Sequence, residues 1–356
     1  MSGVPNLLNP NIINLSPGEG VLERVKVFVT RRLFDEAINL IEEYADVEVF
    51  ESEEEPAPYE LILEKVREID GLLCLLTDKI DTRIIEGGER LKVVSNYAVG
   101  YDNIDVETAT KKGIYVTNTP GVLTETTADL AWAILMAIAR RVAEADRYVR
   151  GGKWVHAWGP KMMLGIDVHS KTLGIVGLGR IGSAVARRAK GFNMKVIYYD
   201  IFRREDLEKE LGLEFKPLDE LLSKADFITL HVPLTKDTYH LIGEREFSLM
   251  KRTAFLINTS RGAVVDEKAL YKALKGRRIT GAALDVFEKE PIDPDNPLLE
   301  LDNVVLTPHI GSASIETRKK MAMMAAENLV SVLRGEEPPN LVNPEVREVR
   351  PLKPRS

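Results

Sequence analysis

Short apolar stretches alternate with amphipathic ones along nearly the whole chain, and the alternation runs twice. In the first run "VKVFVT", "VEVF", "GLLCLL", "LKVVSNY" and "YVTN" read as strands, and "DEAINLIEEY", "YELILEKVREI", "TRIIEGGER" and "VETATKKG" read as helices between them. A strand–helix–strand rhythm with apolar strands this short implies a parallel sheet with helices on both faces. "NTPGV" (Asn118 to Val122) breaks the rhythm, and one long helix is expected from Thr124 to Tyr148. After the loop "RGGKWVHAWGP" a second run opens, with strands at "TLGIVG", "KVIYYD", "DFITLHV", "TAFLINT", "TGAALDV" and "NVVLTPH". Six strands with intervening helices make a doubly wound fold.

The class expected is therefore α/β, with two Rossmann-like doubly wound parallel-sheet domains separated by a cleft. A length of 356 residues agrees with two domains. The expected division is a tail at 1–23, a substrate-side segment at 24–120 and a nucleotide-side domain at 121–310. A return to the first domain follows at 311–343, built on a helix from Thr317 to Arg334, and then a loose polar tail at 344–356. Crossings between the two bodies would act as hinges.

Composition excludes more than it identifies. The net charge of −7 is diffuse, with no Lys/Arg block, which argues against a nucleic-acid partner. The longest apolar run, "LAWAILMAIA", is about ten residues, half of what a bilayer requires. No basic, then apolar leader is visible, so a cytoplasmic protein is expected. Cys74 is the lone cysteine, set within "GLLCLL", and reads as a buried core thiol. No His/Cys/Asp spacing suggests a metal site. The chain has no glutamine while Glu, Lys and Arg abound, a balance associated with hyperthermophiles.

One short segment narrows the function. "GIVGLGRIGSAVARR" carries G-x-G-x-x-G at Gly177, Gly179 and Gly182, between a strand and a helix. Alone that spelling marks only a tight turn. Here the next strand ends in Asp200, eighteen residues beyond Gly182, where a carboxylate can accept hydrogen bonds from adenosine ribose hydroxyls. Gly177 permits the turn, Gly179 admits a pyrophosphate to the helix N-terminus, and Gly182 lets helix and strand pack closely. A carboxylate at Asp200 repels a 2′-phosphate, so NAD is favoured over NADP, although Arg203 and Arg204 follow closely.

Candidates for chemistry lie where predicted strands end. Arg261 follows "LINTS"; Asp285, Glu288 and Glu290 follow "GAAL"; His309 follows "VVLTP". Each alone is more often a solvated surface group or a turn residue. Three at successive strand ends below a nucleotide loop fit reduction of a 2-oxo acid. Arg can bind a carboxylate through two parallel hydrogen bonds, and His can deliver a proton to the carbonyl oxygen. Glu290 beside the imidazole would orient it and keep it charged. His231, in "LHVP", also follows a strand; His156, His169 and His240 sit in loop-like contexts and read as surface.

These segments, together with "NYAVGYDNID" and "NTPGVLTETTADLA", resemble the D-2-hydroxyacid dehydrogenases from about Lys26 to Asn343. Within them the chain looks closest to the glyoxylate/hydroxypyruvate reductases, on "GKWVHAWGP" followed by "LGIDV". The resemblance implies that Arg261 binds the substrate carboxylate and carbonyl, that His309 donates the proton, and that Glu290 is its partner. Val99 and Gly100 would offer backbone N–H groups to the substrate. Cofactor contacts would come from Thr127, the loop Gly177, Leu178, Gly179, Arg180, Ile181 and Gly182, and Asp200. Further contacts would come from His231, Pro233, Thr259, Ser260, Asp285 and Gly311. The family forms homodimers through the cofactor domain, and Trp158 resembles a residue that reaches the neighbouring subunit's substrate site. Glutamine replaces the carboxylate partner in formate dehydrogenases of the superfamily, so Glu290 argues against that activity. The rival enzyme reading is a 3-phosphoglycerate dehydrogenase without a regulatory domain, which would need a basic cluster from Arg31, Arg32 or Lys79. A non-catalytic NAD-sensing scaffold on the same fold is the rival from another class.

Overall fold

A computed structural model describes residues 24–353; the expected tail at 1–23 and the last three residues lie outside them. The first run forms β1 (Val25–Val29), α1 (Asp35–Glu42), β2 (Ala45–Val49), α2 (Tyr59–Lys65), β3 (Gly71–Leu75), α3 (Thr82–Gly87), β4 (Val93–Tyr97), α4 (Val106–Lys111) and β5 (Tyr115–Thr117). Its five strands are all parallel, in the order β2-β1-β3-β4-β5. Every residue of β4 is buried, as expected of a strand covered on both faces.

The chain then crosses into α5 (Thr124–Ala139) and α6 (Val142–Arg150). One helix was expected over this span, and the structure has two. Arg141 adopts a left-handed conformation, φ 56°, and its guanidinium closes on the Glu144 carboxylate. The last turn of α5 is taken up by a later loop, because the Ile166 N–H donates to the Ala139 carbonyl at 2.9 Å. That loop passes so close that a Cβ on Gly165 would stand 2.4 Å from the same oxygen. The sequence pattern could not show this, since Arg140–Arg141 is compatible with a continuous helix.

The second run forms β6 (Thr172–Val176), α7 (Arg180–Ala189), β7 (Lys195–Tyr199), α8 (Glu205–Leu211), β8 (Glu214–Phe215), α9 (Leu218–Lys224), β9 (Phe227–Leu230), α10 (Glu244–Leu249), β10 (Phe255–Asn258), α11 (Glu267–Lys275), β11 (Gly281–Leu284) and β12 (Val304–Leu306). The order is β12-β11-β10-β9-β6-β7-β8, again parallel. Seven strands replace the six expected, because the two residues of β8 extend the edge beyond β7. So short a pairing leaves no periodicity to read. β6 lies between β7 and β9, so successive connections leave it in opposite directions. This is the switch point where open α/β sheets form their ligand crevice.

Two apolar clusters cover the two faces of each sheet. The final long helix, α12 (Ile315–Arg334), buries Met321, Leu329 and Leu333 against β1, β3 and β4 of the first sheet. The Ser95 hydroxyl donates to the Ala325 carbonyl at 2.7 Å and fixes its register. Where the chain crosses, the Thr126 and Thr317 hydroxyls meet at 2.7 Å and join α5 to α12. Residues 344–353, expected to be loose, are docked. α13 (Val346–Val349) buries Val346, and the Tyr115 hydroxyl donates to the Arg350 carbonyl at 2.7 Å. A single apolar side chain per turn is too sparse a signal to separate from a polar tail.

Candidate active site

The glycine loop joins β6 to α7 at the switch point. Gly177 has φ +93°, and a Cβ there would lie 2.8 Å from the His231 carbonyl carbon; a Cβ on Gly182 would lie 2.1 Å from the Gly177 oxygen. Any side chain at either position would force loop and helix apart. Gly179 differs, because a Cβ there would meet nothing within 4 Å. It is the N-cap of α7 and contributes no capping side chain, so the helix N-terminus faces an open approach. The Leu178 N–H donates to Asp200 Oδ2 at 2.6 Å, which draws the end of β7 against the loop.

Two buried polar atoms over the neighbouring strand ends have no partner: His231 Nδ1 beyond β9 and Thr259 Oγ1 beyond β10. The other imidazole nitrogen of His231 meets the Thr229 hydroxyl at 2.9 Å, and burial drives this histidine down to about 3. Orphaned buried groups are rare in a folded chain. An open glycine cradle with such groups along its rim fits a dinucleotide, and the residues present are compatible with one.

Further along the sheet, Asp285 follows β11 and is buried. Its Oδ1 accepts from the Thr307 hydroxyl at 2.6 Å and the Ile310 N–H at 2.8 Å, and its Oδ2 accepts from the Gly311 N–H at 2.8 Å. Burial raises its pKa against the lowering effect of these donors. A Cβ on Gly311 would touch both this carboxylate and Thr127 of α5, so Asp285, Thr127 and Gly311 converge. Asp285 thereby ties down the loop that carries His309, which itself stands at φ 53°.

His309 Nδ1 lies 2.7 Å from Glu290 Oε2, and each side chain is about a quarter exposed, 27% and 28%. The Phe287 N–H holds the second oxygen of Glu290 at 3.0 Å. Burial alone would raise Glu290. The His309 hydrogen bond and charge, the Phe287 amide and the Arg261 charge outweigh it and keep the carboxyl below its usual range. With one carboxylate oxygen on Nδ1, the Nε2 edge is the part of the ring left for a substrate.

Arg261 follows β10. Its Nη1 donates to the Ser260 carbonyl at 2.9 Å, while Asn258 accepts from the Ser260 N–H and hydroxyl and donates to the Arg261 carbonyl. The guanidinium reaches across to the first sheet, where Nε donates to Asp102 Oδ1 at 3.0 Å. A Cβ on Gly100 would stand 1.6 Å from Arg261 Nη2, so Gly100 and Arg261 are in direct contact. Val99 lies beside Gly100 just beyond β4. Arg261, His309 and Glu290 line one cavity of about 180 Å³, closed by Leu76 and Asp102 from the first half and by Leu234 and Phe287 from the second. The cavity unites the three groups from successive strand ends. Pro233 is exposed beyond it, and Trp158 stands 77% exposed on the surface, outside this cavity.

Several residues escaped the sequence reading. Asp102 was one, although it sits in the quoted "GYDN". Asn96 and Asn103 brace that turn, with Asn96 donating to the Gly100 carbonyl at 2.9 Å and Asn103 to the Leu75 and Asp78 carbonyls. His240, read as surface, is half-buried. It stacks on Tyr239 with ring centroids 4.0 Å apart and meets Glu288 at 2.9 Å. Glu288 is thereby engaged by His240, although it lines the same cavity as the His309 pair. His240, Asp266 and Glu288 also bring ligand atoms within 4.8 Å of one another, a cluster the linear spacing did not reveal. Asp266 there caps α11 through the Ala269 N–H, and Glu288 accepts from the Glu267 N–H, so local hydrogen bonds account for both.

The fold and its glycine loop define an NAD(P)-dependent oxidoreductase. Residues 132–311 match the D-isomer specific 2-hydroxyacid dehydrogenase, NAD binding domain. The chain is 63% identical over 326 residues to a glyoxylate reductase of Korarchaeum cryptofilum, covering 92% of this chain and 98% of that one. It is 56% identical over 328 residues to a glyoxylate reductase of Pyrococcus horikoshii, covering 91% and 98%. Among solved structures, the NADPH-dependent glyoxylate/hydroxypyruvate reductase of Sinorhizobium meliloti, in complex with NADP and malonate, superposes with a TM-score of 0.82 at 33% identity, over 94% of this chain and 100% of that one. This chain belongs to the D-isomer specific 2-hydroxyacid dehydrogenases. No helix among the described residues is long and apolar enough to cross a membrane.

Proposed function

We propose that this chain reduces glyoxylate, and hydroxypyruvate as a close analogue, to the 2-hydroxy acid with NADH. The observation that carries the reading is the 2.7 Å His309–Glu290 pair sharing a small cavity with Arg261. Arg261 binds the substrate carboxylate through its Nη edge, with the backbone at Val99 and Gly100 on the other side. His309 delivers a proton to the carbonyl oxygen, and Glu290 sets its tautomer and supports its charge. The glycine loop, Asp200, His231, Thr259, Asp285 and Gly311 would hold the dinucleotide, whose chemistry would be hydride supply to C2. A cavity of about 180 Å³ lined by Leu76, Leu234 and Phe287 suits a small acid. The names of the relatives support the same substrate.

The phosphoglycerate reading loses support. Arg31 is engaged by Glu54 and Thr77, Arg32 by Asp35 and Glu51, and Lys79 by Asp81. NADH oxidation with glyoxylate, hydroxypyruvate, pyruvate and phosphohydroxypyruvate tests the assignment. Turnover is expected with the first two, and preference for the phosphorylated acid would overturn it.

The reading extends to a two-body enzyme, 24–120 with 311–343 closing on 121–310, that works in the cytoplasm as a homodimer. Val142, Val149, Trp154, Val155, Trp158 and Leu164 expose an apolar strip that a second copy would cover. Trp158 then reaches the partner's substrate cavity. Sedimentation of Trp158→Ala beside the unaltered protein tests this, and a monomer from both would refute it.

A further inference from the structure

Two arginines stand where an NADP-selective site would use them. The segment 201–204 leads directly from Asp200 to α8, and Arg204 is near enough to feel the Asp200 charge. A 2′-phosphate on the adenosine ribose would arrive beside this segment carrying nearly two negative charges, and two guanidinium groups should attract it. Both are already committed. Arg203 makes a two-toothed pair with Glu208, 2.9 Å at each contact, and Arg204 a two-toothed pair with Asp206 at 3.0 and 2.8 Å.

The Glu208 clamp is braced from below. Its side chain is only 15% exposed, and Oε1 also accepts from the Tyr198 hydroxyl at 2.8 Å. That hydroxyl, on the fully buried Tyr198 of β7, accepts in turn from the Arg204 N–H at 2.8 Å. Carboxylate, phenol and backbone thus fix the loop in one geometry. The Arg203 hydrogen bond and then the Tyr198 hydroxyl drive Glu208 down to about 2, so it stays ionised at any working pH. Solvated ion pairs at a helix start would satisfy the same bonds without this buried anchor.

We infer that Asp206 and Glu208 form a second layer of cofactor selection behind Asp200, holding Arg204 and Arg203 in internal ion pairs so that NADPH gains no cation from either. The inference rests on placing the adenosine ribose at Asp200. Asp206 and Glu208 are positioning residues, since they act through the arginines.

Dissociation constants for NADH and NADPH, read by calorimetry without substrate, test it alongside kcat/KM for glyoxylate. In D206N/E208Q the NADPH dissociation constant should fall at least about fivefold, the scale of one exposed ion pair, while that for NADH holds within about twofold. Glutamine at 208 still accepts from Tyr198, which preserves the brace, and single E208Q is the milder variant should the double one be unstable. Adding R203A and R204A should return NADPH binding to its starting value. Unchanged NADPH binding, equal gains for both cofactors, or a gain that survives loss of the arginines would overturn the inference. A D200A variant separates the levels. Weaker NADH binding there, with NADPH unmoved in D206N/E208Q, removes this inference alone; unaltered NADH binding in D200A removes the site assignment with it.

Discussion

Replacing Glu290 by glutamine isolates what the carboxylate does for His309. The side chain keeps its size and its contact with the Phe287 amide, and loses its charge. At 2.7 Å, with both groups about a quarter exposed, the pair lies between a buried charge-assisted hydrogen bond and a surface ion pair. A hydrogen bond to a charged partner contributes about 1.5–3 kcal/mol and an exposed ion pair about 0–1 kcal/mol. Taking about 1.5–2 kcal/mol, E290Q should lower kcat/KM for glyoxylate about ten- to thirtyfold. Removing the imidazole in H309A should cost about a hundredfold or more. If Glu290 works through His309, H309A/E290Q should be no slower than H309A. The unaltered enzyme should also lose rate as Glu290 protonates below the usual carboxylate range, a limb of the pH profile that E290Q would lack. Stopped-flow NADH oxidation from pH 3.5 to 8 reads all four proteins. Losses that multiply in the double variant, or an E290Q enzyme at full rate, would refute the reasoning.

At Gly100 an added methyl collides with Arg261 Nη2, so G100A and R261A should both raise KM for glyoxylate and leave NADH binding alone; an unchanged KM in R261A would remove its role. G262A should fail to fold or lose several kcal/mol, about the upper end of single substitutions, because the Cβ would lie 1.8 Å from the Phe287 carbonyl carbon, measured by urea unfolding. His231, depressed from its ordinary 6.5 to about 3, binds its proton in the unfolded chain first. Its contribution to stability is therefore full above pH 6.5 and lost as pH falls toward 3, and H231Q should show a shallower fall of Tm over that range.

What the sequence made legible follows from period and chemistry. The strands of both sheets except β8 announced themselves because most are short apolar runs, and Gly177 and Gly182 because no other residue fits their contacts. Arg261, Glu290 and His309 were visible since each closes a strand. The rest depended on distance in space. Asp102 lies 159 positions from the guanidinium it meets, and no local pattern encodes that encounter. The break at Arg141 is set by a loop more than twenty residues later. His240 became a half-buried partner of Glu288 only once two connections had been folded together.

The contact between Arg261 and Asp102 has a consequence for how a substrate is met. Among the described residues Arg261 is the one Arg or Lys side chain lining the cavity, and Asp102, Glu288 and Glu290 line it too. An incoming 2-oxo acid adds another negative charge to a space whose guanidinium is already answered across the cleft. Asp102 holds the Nε side of that guanidinium, so its plane is fixed across the cleft before any substrate arrives. The first half of the chain thereby sets the angle at which a cation of the second half meets the substrate.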